Sequence, residues 1–107
     1  MMEEIVLLET AKAIDKNHRV FKMTFAGAEF DMVIFNDKTN SCECYEIKHS
    51  DQIAERQTRY LTDAECLKAT ERRFGPITGK YVIYRGESCD VNGIHYLNVE
   101  EYLKGLA

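Results

Sequence analysis

Between residues 20 and 48 the apolar positions follow strand patterns; on either side, over 2–16 and 50–74, they recur in steps of three and four. In 20–25, Phe21, Met23 and Phe25 fall on one side and Val20, Lys22 and Thr24 on the other. This predicts a half-buried strand ending at Ala26-Gly27-Ala28. Two further strands are predicted at 29–35 and 42–48, joined by Asn36-Asp37-Lys38-Thr39-Asn40-Ser41, which is turn chemistry throughout. Phe30, Met32 and Ile34 are expected on one face of the first, Val33 and Phe35 on the other. A sheet that is apolar on both faces needs covering on both.

Helical spacing supplies the cover. Residues 2–16 predict a helix in which Ile5, Leu8, Lys12 and Ile14, with Val6 and Leu7 beside them, form a broad apolar stripe, and Asn17 suits the C-terminal end. Ser50-Asp51 is expected to cap a long helix through Phe74, stopped by Gly75-Pro76, with Ile53, Tyr60, Leu61, Ala64, Leu67 and Phe74 on its apolar side. Glu55 and Arg59, four apart, belong to its solvated side. Residues 80–85 predict another strand, Gly86, Asn92 and Gly93 a loop, and 94–97 a short strand. Asn98 then caps a last helix over 99–106. The order implies a mixed sheet between helices, an α/β fold with three α/β/α layers, in one domain spanning 1–107.

Composition narrows the class. The chain has 107 residues, 45% apolar and 30% charged, which fits one compact domain with a modest core and excludes disorder. No apolar run approaches a membrane span, and no signal-peptide pattern opens the chain. Cys42 and Cys44 lie two apart on one strand, while Cys66 and Cys89 are remote, without the spacing of a zinc site. All four read as reduced packing residues of a cytoplasmic protein. The net charge of −4 supplies no basic surface for gripping nucleic acid, although bound metal ions can provide positive charge locally.

The hairpin makes a geometric prediction. With Asn36 opposite Ser41, antiparallel pairing puts Phe35 against Cys42, Val33 against Cys44, Asp31 against Glu46 and Glu29 against Lys48. Opposed residues share a face with Cβ atoms roughly 4.5–5.5 Å apart. Asp31, Glu46 and Lys48 would then converge at one end of one face, and a slip of one residue would separate them. Two close carboxylates repel unless a cation or proton relieves them, and such oxygen donors suit Mg²⁺ or Mn²⁺. A nearby lysine can orient water or act as a point charge on a phosphate. Spacing equally admits a plain Glu29–Lys48 ion pair, with Asp31 and Glu46 at solvated strand ends.

The runs Glu29-Phe30-Asp31-Met32-Val33-Ile34 and Tyr45-Glu46-Ile47-Lys48-His49-Ser50 resemble the PD-(D/E)xK nuclease superfamily. The likeness is to the nuclease-like C-terminal domain behind the AAA+ module of certain prokaryotic ATPases. It extends from the first helix to Tyr81-Val82-Ile83-Tyr84 and Arg85-Gly86-Glu87. Phe30 stands where the motif's proline would be, and no Walker A sequence is present.

The resemblance implies a restriction-endonuclease-like fold and hydrolysis of DNA phosphodiester bonds by an endonuclease or nickase using Mg or Mn. Asp31 and Glu46 would hold the metal and Lys48 would assist the attacking water. A first-helix glutamate often completes such sites; Glu9, near the Ile5–Leu8 stripe, is the first choice and Glu3 the second. The superfamily includes silent domains, so the alternative is a non-catalytic protein-interaction or regulatory module, associated with a protein partner or a covalently attached AAA+ ATPase. A homodimer is a further expectation, and DNA is not separated from RNA. No membrane association is expected.

Other residues have plainer readings. Gln57 and Tyr60 are similar to a Gln/Tyr element of some nuclease branches, but at a different spacing, and read as core or surface positions. Arg56, Arg59, Arg72 and Arg73 lie among acids on a solvated face. His49 should point away from Lys48, and His18 and His95 have no partner evident from sequence. Tyr81 and Tyr84 read as packing residues with hydroxyls in water.

Overall fold

The computed structural model describes residues 2–25, 28–53 and 58–106. The elements run α1 (Met2–Ala13), β1 (His18–Phe25), β2 (Ala28–Asn36), β3 (Ser41–Ile47), α2 (Arg59–Thr62), α3 (Ala64–Phe74), β4 (Ile77–Tyr84), β5 (Cys89–Val91), β6 (Ile94–Asn98) and α4 (Val99–Leu106). The six strands form one mixed sheet in the order β1-β2-β3-β4-β6-β5. Strand β4 is parallel to both β3 and β6; the other neighbours are antiparallel. No helix among the described residues is long and apolar enough to cross a membrane.

Alternation along β3 sorts its side chains between two hydrophobic clusters. Cys42 and Cys44 join Val33, Val82, Tyr84 and Tyr96 in a cluster that also takes Leu61 of α2, with Leu67 and Phe74 of α3 against it. Tyr45 and Ile47 join Met32, Ile34, Ile83 and Val6 of α1, with Val99, Tyr102 and Leu103 of α4 against them. All four cysteines are unbridged.

The predicted hairpin register is observed from the turn to Met32, but the pairs expected beyond it, Asp31 with Glu46 and Glu29 with Lys48, are not part of the regular ladder. Met32 pairs with Tyr45, Val33 with Cys44, Ile34 with Glu43, Phe35 with Cys42 and Asn36 with Ser41. On its other side, β2 departs from simple alternation. Phe21 pairs with Val33 and Met23 with Phe30, so Asp31 and Met32 together face Lys22. This β-bulge carries Phe30 into the Val33 cluster instead of the Met32 side expected from strict alternation.

Three other expectations are corrected. Helix α1 ends at Ala13 and buries Val6 and Thr10, while Ile5 and Leu8, its expected core stripe, are about half exposed (51% and 57%). The buried Thr10 hydroxyl meets the Tyr102 hydroxyl at 2.7 Å, tying α1 to α4. The long helix expected from Ser50 is broken. Residues 50–53 are not helical, and Asp63 separates the single turn α2 from α3. There Asp63 Oδ1 accepts the N–H groups of Glu65 and Cys66, satisfying donors at the start of α3. Glu55, Arg56, Gln57 and the strand end at Ala26-Gly27 lie outside the described residues. Finally, the loop expected over 86–93 contains the short edge strand β5.

Helix α3 stops at Gly75, whose φ of 79° suits glycine, and a Cβ there would lie 1.7 Å from the Asn40 carbonyl oxygen. The stop therefore also lets α3 close against the β2–β3 turn. Asn98 caps α4 as expected, its Oδ1 accepting from the N–H groups of Glu100 and Glu101.

Candidate active site

The site forms where the β2–β3 ladder runs out. Regular pairing ends at Met32 and Tyr45, and the bulge sets Asp31 beyond it. Asp31 Oδ2 then accepts the Ile47 N–H at 2.8 Å, supplying the acceptor that the interrupted ladder does not. On the other side of β3, the Lys48 N–H donates to the Ile83 carbonyl at 2.9 Å. The Arg85 N–H donates to Ser50 O at 3.0 Å, so the chain leaving β3 is tied to the end of β4. Backbone hydrogen bonds thus fix the strand end that carries Glu46 and Lys48.

Both acids are buried, Asp31 at 7% and Glu46 at 4% exposure. Lys48 Nζ lies 3.2 Å from Glu46 Oε2. Glu46 Oε1 is fully buried and has no hydrogen-bond partner. Burial pushes the Glu46 carboxyl up to about 7, with the Asp31 charge adding to the effect and Lys48 opposing it. The Asp31 carboxyl is also raised, chiefly by burial, against the stabilising Ile47 N–H. Of two adjacent acids, the weaker one titrates beside an already ionised neighbour, so their mutual repulsion falls on Glu46.

The glutamate and lysine assignments can now be placed. The Glu29–Lys48 ion pair does not form: Lys48 meets Glu46, and Glu29 meets Lys22 at 3.3 Å. Lys22 also holds Glu3 at 3.1 Å, and the Glu3 charge acts on Asp31. Glu9 pairs instead with Lys12 at 3.4 Å and lines a groove between α1 and α4. Of the two first-helix candidates, Glu3 is the one within the electrostatic surroundings of Asp31.

Comparison with protein-family models, curated proteins and solved structures gives no match.

The chemistry of the site therefore rests on its own atoms. Among the described residues, no group of three or more His, Cys, Asp and Glu side chains is arranged to hold a metal. The donor set is two carboxylates, one carrying an unsatisfied oxygen. That suits a hard cation which keeps several of its waters, as Mg²⁺ does. A bound cation would also relieve the repulsion that raises Glu46.

The remaining candidates have other partners or are exposed. His49 is exposed. His18 Nδ1 lies 2.7 Å from Asp15 Oδ1, and His95 Nδ1 lies 2.6 Å from Asp90 Oδ1. The Arg59 guanidinium sits 5.1 Å above the Tyr60 ring, and Arg72 and Arg73 are exposed on α3. The Tyr81 and Tyr84 hydroxyls, expected in water, donate to the Glu43 carboxylate and the Glu87 carbonyl. Sequence reading missed the role of Ile47, whose N–H holds Asp31; a main-chain donor leaves no signature in residue type.

Proposed function

We propose that this chain is a restriction-endonuclease-like domain, with helices covering both faces of its sheet, that hydrolyses DNA phosphodiester bonds with Mg²⁺ or Mn²⁺. The observation that carries the reading is Glu46. A 4%-exposed carboxylate beside a second buried acid has one oxygen on Lys48 and the other unpartnered. Such an arrangement costs free energy in the fold unless a cation completes it. The sheet order and the Asp…Glu-x-Lys sequence support the same reading.

Asp31 and Glu46 would hold the ion, with Glu3, whose charge acts on Asp31, as the first-helix acid to assist. When bound, the ion supplies Lewis acidity toward a phosphate oxygen and makes water easier to deprotonate. The protein's own atoms do the positioning. Ile47 N–H fixes the Asp31 carboxylate, and Lys48 reaches Glu46 while keeping N–H groups to orient the attacking water or meet charge developing on the phosphate. The four unbridged cysteines support action in a reducing cytoplasm.

The deciding experiment measures nicking of supercoiled DNA with Mn²⁺ or Mg²⁺, alongside Mn²⁺ binding by calorimetry. Asp31→Asn, Glu46→Gln and Lys48→Ala should each abolish nicking, and the two carboxylate changes should also abolish Mn²⁺ binding. Mn²⁺ binding that is absent, or unchanged in those variants, would leave the domain as a non-catalytic interaction module. RNA of matched sequence in the same assay separates the two nucleic acids.

A further inference from the structure

Helix α1 is apolar on more than one side. Val6 is fully buried and Leu7 packs against its cluster, whereas Ile5 and Leu8 point outward at 51% and 57% exposure. Ile5 and Leu8 thus leave apolar surface on the side of α1 that the fold does not cover. The outward face reads Glu4, Ile5, Leu8, Ala11, Lys12, and all five are exposed. Beside it, Ile5, Leu103 and Leu106 help line a groove of about 270 Å³ between α1 and α4.

We propose that this face binds a second copy of the chain, with α1 antiparallel to its symmetry mate and the two-fold axis at Leu8. The order of residues selects that partner and that register. With Leu8 against Leu8, Ile5 of each copy falls opposite Ala11 of the other, a large residue against a small one. Glu4 falls opposite Lys12, twice, once at each end. A two-fold contact must be self-complementary, and this row is so in both size and charge. Antiparallel packing also sets each helix's positive end beside its mate's negative end. Lys12 Nζ is held by Glu9 only at an exposed 3.4 Å contact and is free to take a second carboxylate. The inference is independent of the nuclease reading.

Sedimentation equilibrium of the full chain should give twice the 12.4 kDa chain mass. Leu8→Glu should weaken association at least roughly 100-fold, since both substituted residues meet at the axis. Because Leu8 is exposed in the monomer, Leu8→Glu should keep the circular dichroism spectrum and lose the concentration dependence of wild-type melting, and Leu8→Ser gives a milder second variant. Glu4→Lys or Lys12→Glu alone should weaken the dimer roughly three- to tenfold, and the two together should restore it. A wild-type monomer up to roughly 1 mM, a Leu8→Glu chain that dimerises as before, or a double charge swap no tighter than either single change would each overturn the proposal.

Discussion

The Asp31 carboxylate takes the place of a backbone acceptor: its Oδ2 receives the Ile47 N–H at 2.8 Å, just past the last regular pair, Met32 with Tyr45. One side chain therefore both closes the end of the sheet and offers its other oxygen to the site. The bulge makes this double use available, because it frees Asp31 from the regular ladder. Structure and proposed chemistry meet in that bond, and they can be separated by substitution.

Asp31→Asn keeps an acceptor for the Ile47 N–H and removes a buried charge, so its stability should stay within about 1 kcal/mol of wild type. Asp31→Ala leaves that buried donor unsatisfied and should cost about 1–3 kcal/mol. Urea denaturation at neutral pH measures both. Equal losses in the two variants would show that the bond to Ile47 contributes nothing to stability.

Glu46 should make the fold more stable in mild acid than in mild base. Its carboxyl is raised from 4.5 to about 7 in the folded chain, so folding favours the protonated form. The stability this gives is fully present below the unfolded value and is lost as pH rises through about 7. The gap between 4.5 and about 7, at about 1.4 kcal/mol per pH unit, corresponds to about 3 kcal/mol. Most of this loss falls between pH 5 and pH 8, where wild type should lose about 2 kcal/mol more than Glu46→Gln, and Mn²⁺ should remove much of that difference. Parallel pH profiles for the two proteins would refute a raised Glu46.

The hairpin was legible because its turn residues leave one sensible register, which holds as far as Met32 and Tyr45 and brings Asp31 and Glu46 to the same end of the two strands. The bulge was not, since Phe30-Asp31-Met32 looks like ordinary alternation and the extra residue shows only in the pairing with β1. Nor could periodicity choose the buried side of α1, because Ile5, Val6, Leu7 and Leu8 give it apolar residues on every side. Its buried Thr10 depends on Tyr102, ninety-two residues away. Helix spacing could not show that Lys22 holds Glu3 and Glu29 by their carboxylates, with both charges acting on Asp31, while Glu9 pairs with Lys12.

Asp63 explains why the apolar spacing from Ile53 to Phe74 does not become one helix. Its extended backbone (φ −81°, ψ 111°) ends α2, and its side chain caps α3. Asp63→Ala removes the acceptor for two N–H groups and should cost about 1 kcal/mol, read as a lower thermal midpoint. Asp63→Asn, which retains a capping oxygen, should recover most of it. If Ala and Asn behave alike, the break is set by tertiary packing and not by the cap.

Lys48 is the residue on which structure and chemistry are most closely coupled. Its ammonium opposes the upward push on the Glu46 carboxyl, so Lys48→Met should move the Glu46 titration to still higher pH. Because the Lys48 side chain is 32% exposed, solvent screens the pair, and the effect on overall stability at pH 7 should stay below about 1 kcal/mol. Nicking, by contrast, should fall by roughly 10²–10³-fold, the scale of losing one positioned charge in a catalytic site. Carbon-detected titration of labelled Glu46 in both proteins, set beside their nicking rates, measures the two effects together. An unmoved Glu46 titration would mean that the 3.2 Å contact does not persist in solution. A moved titration with unchanged nicking would show that Lys48 shapes the carboxylate pair without taking part in the reaction.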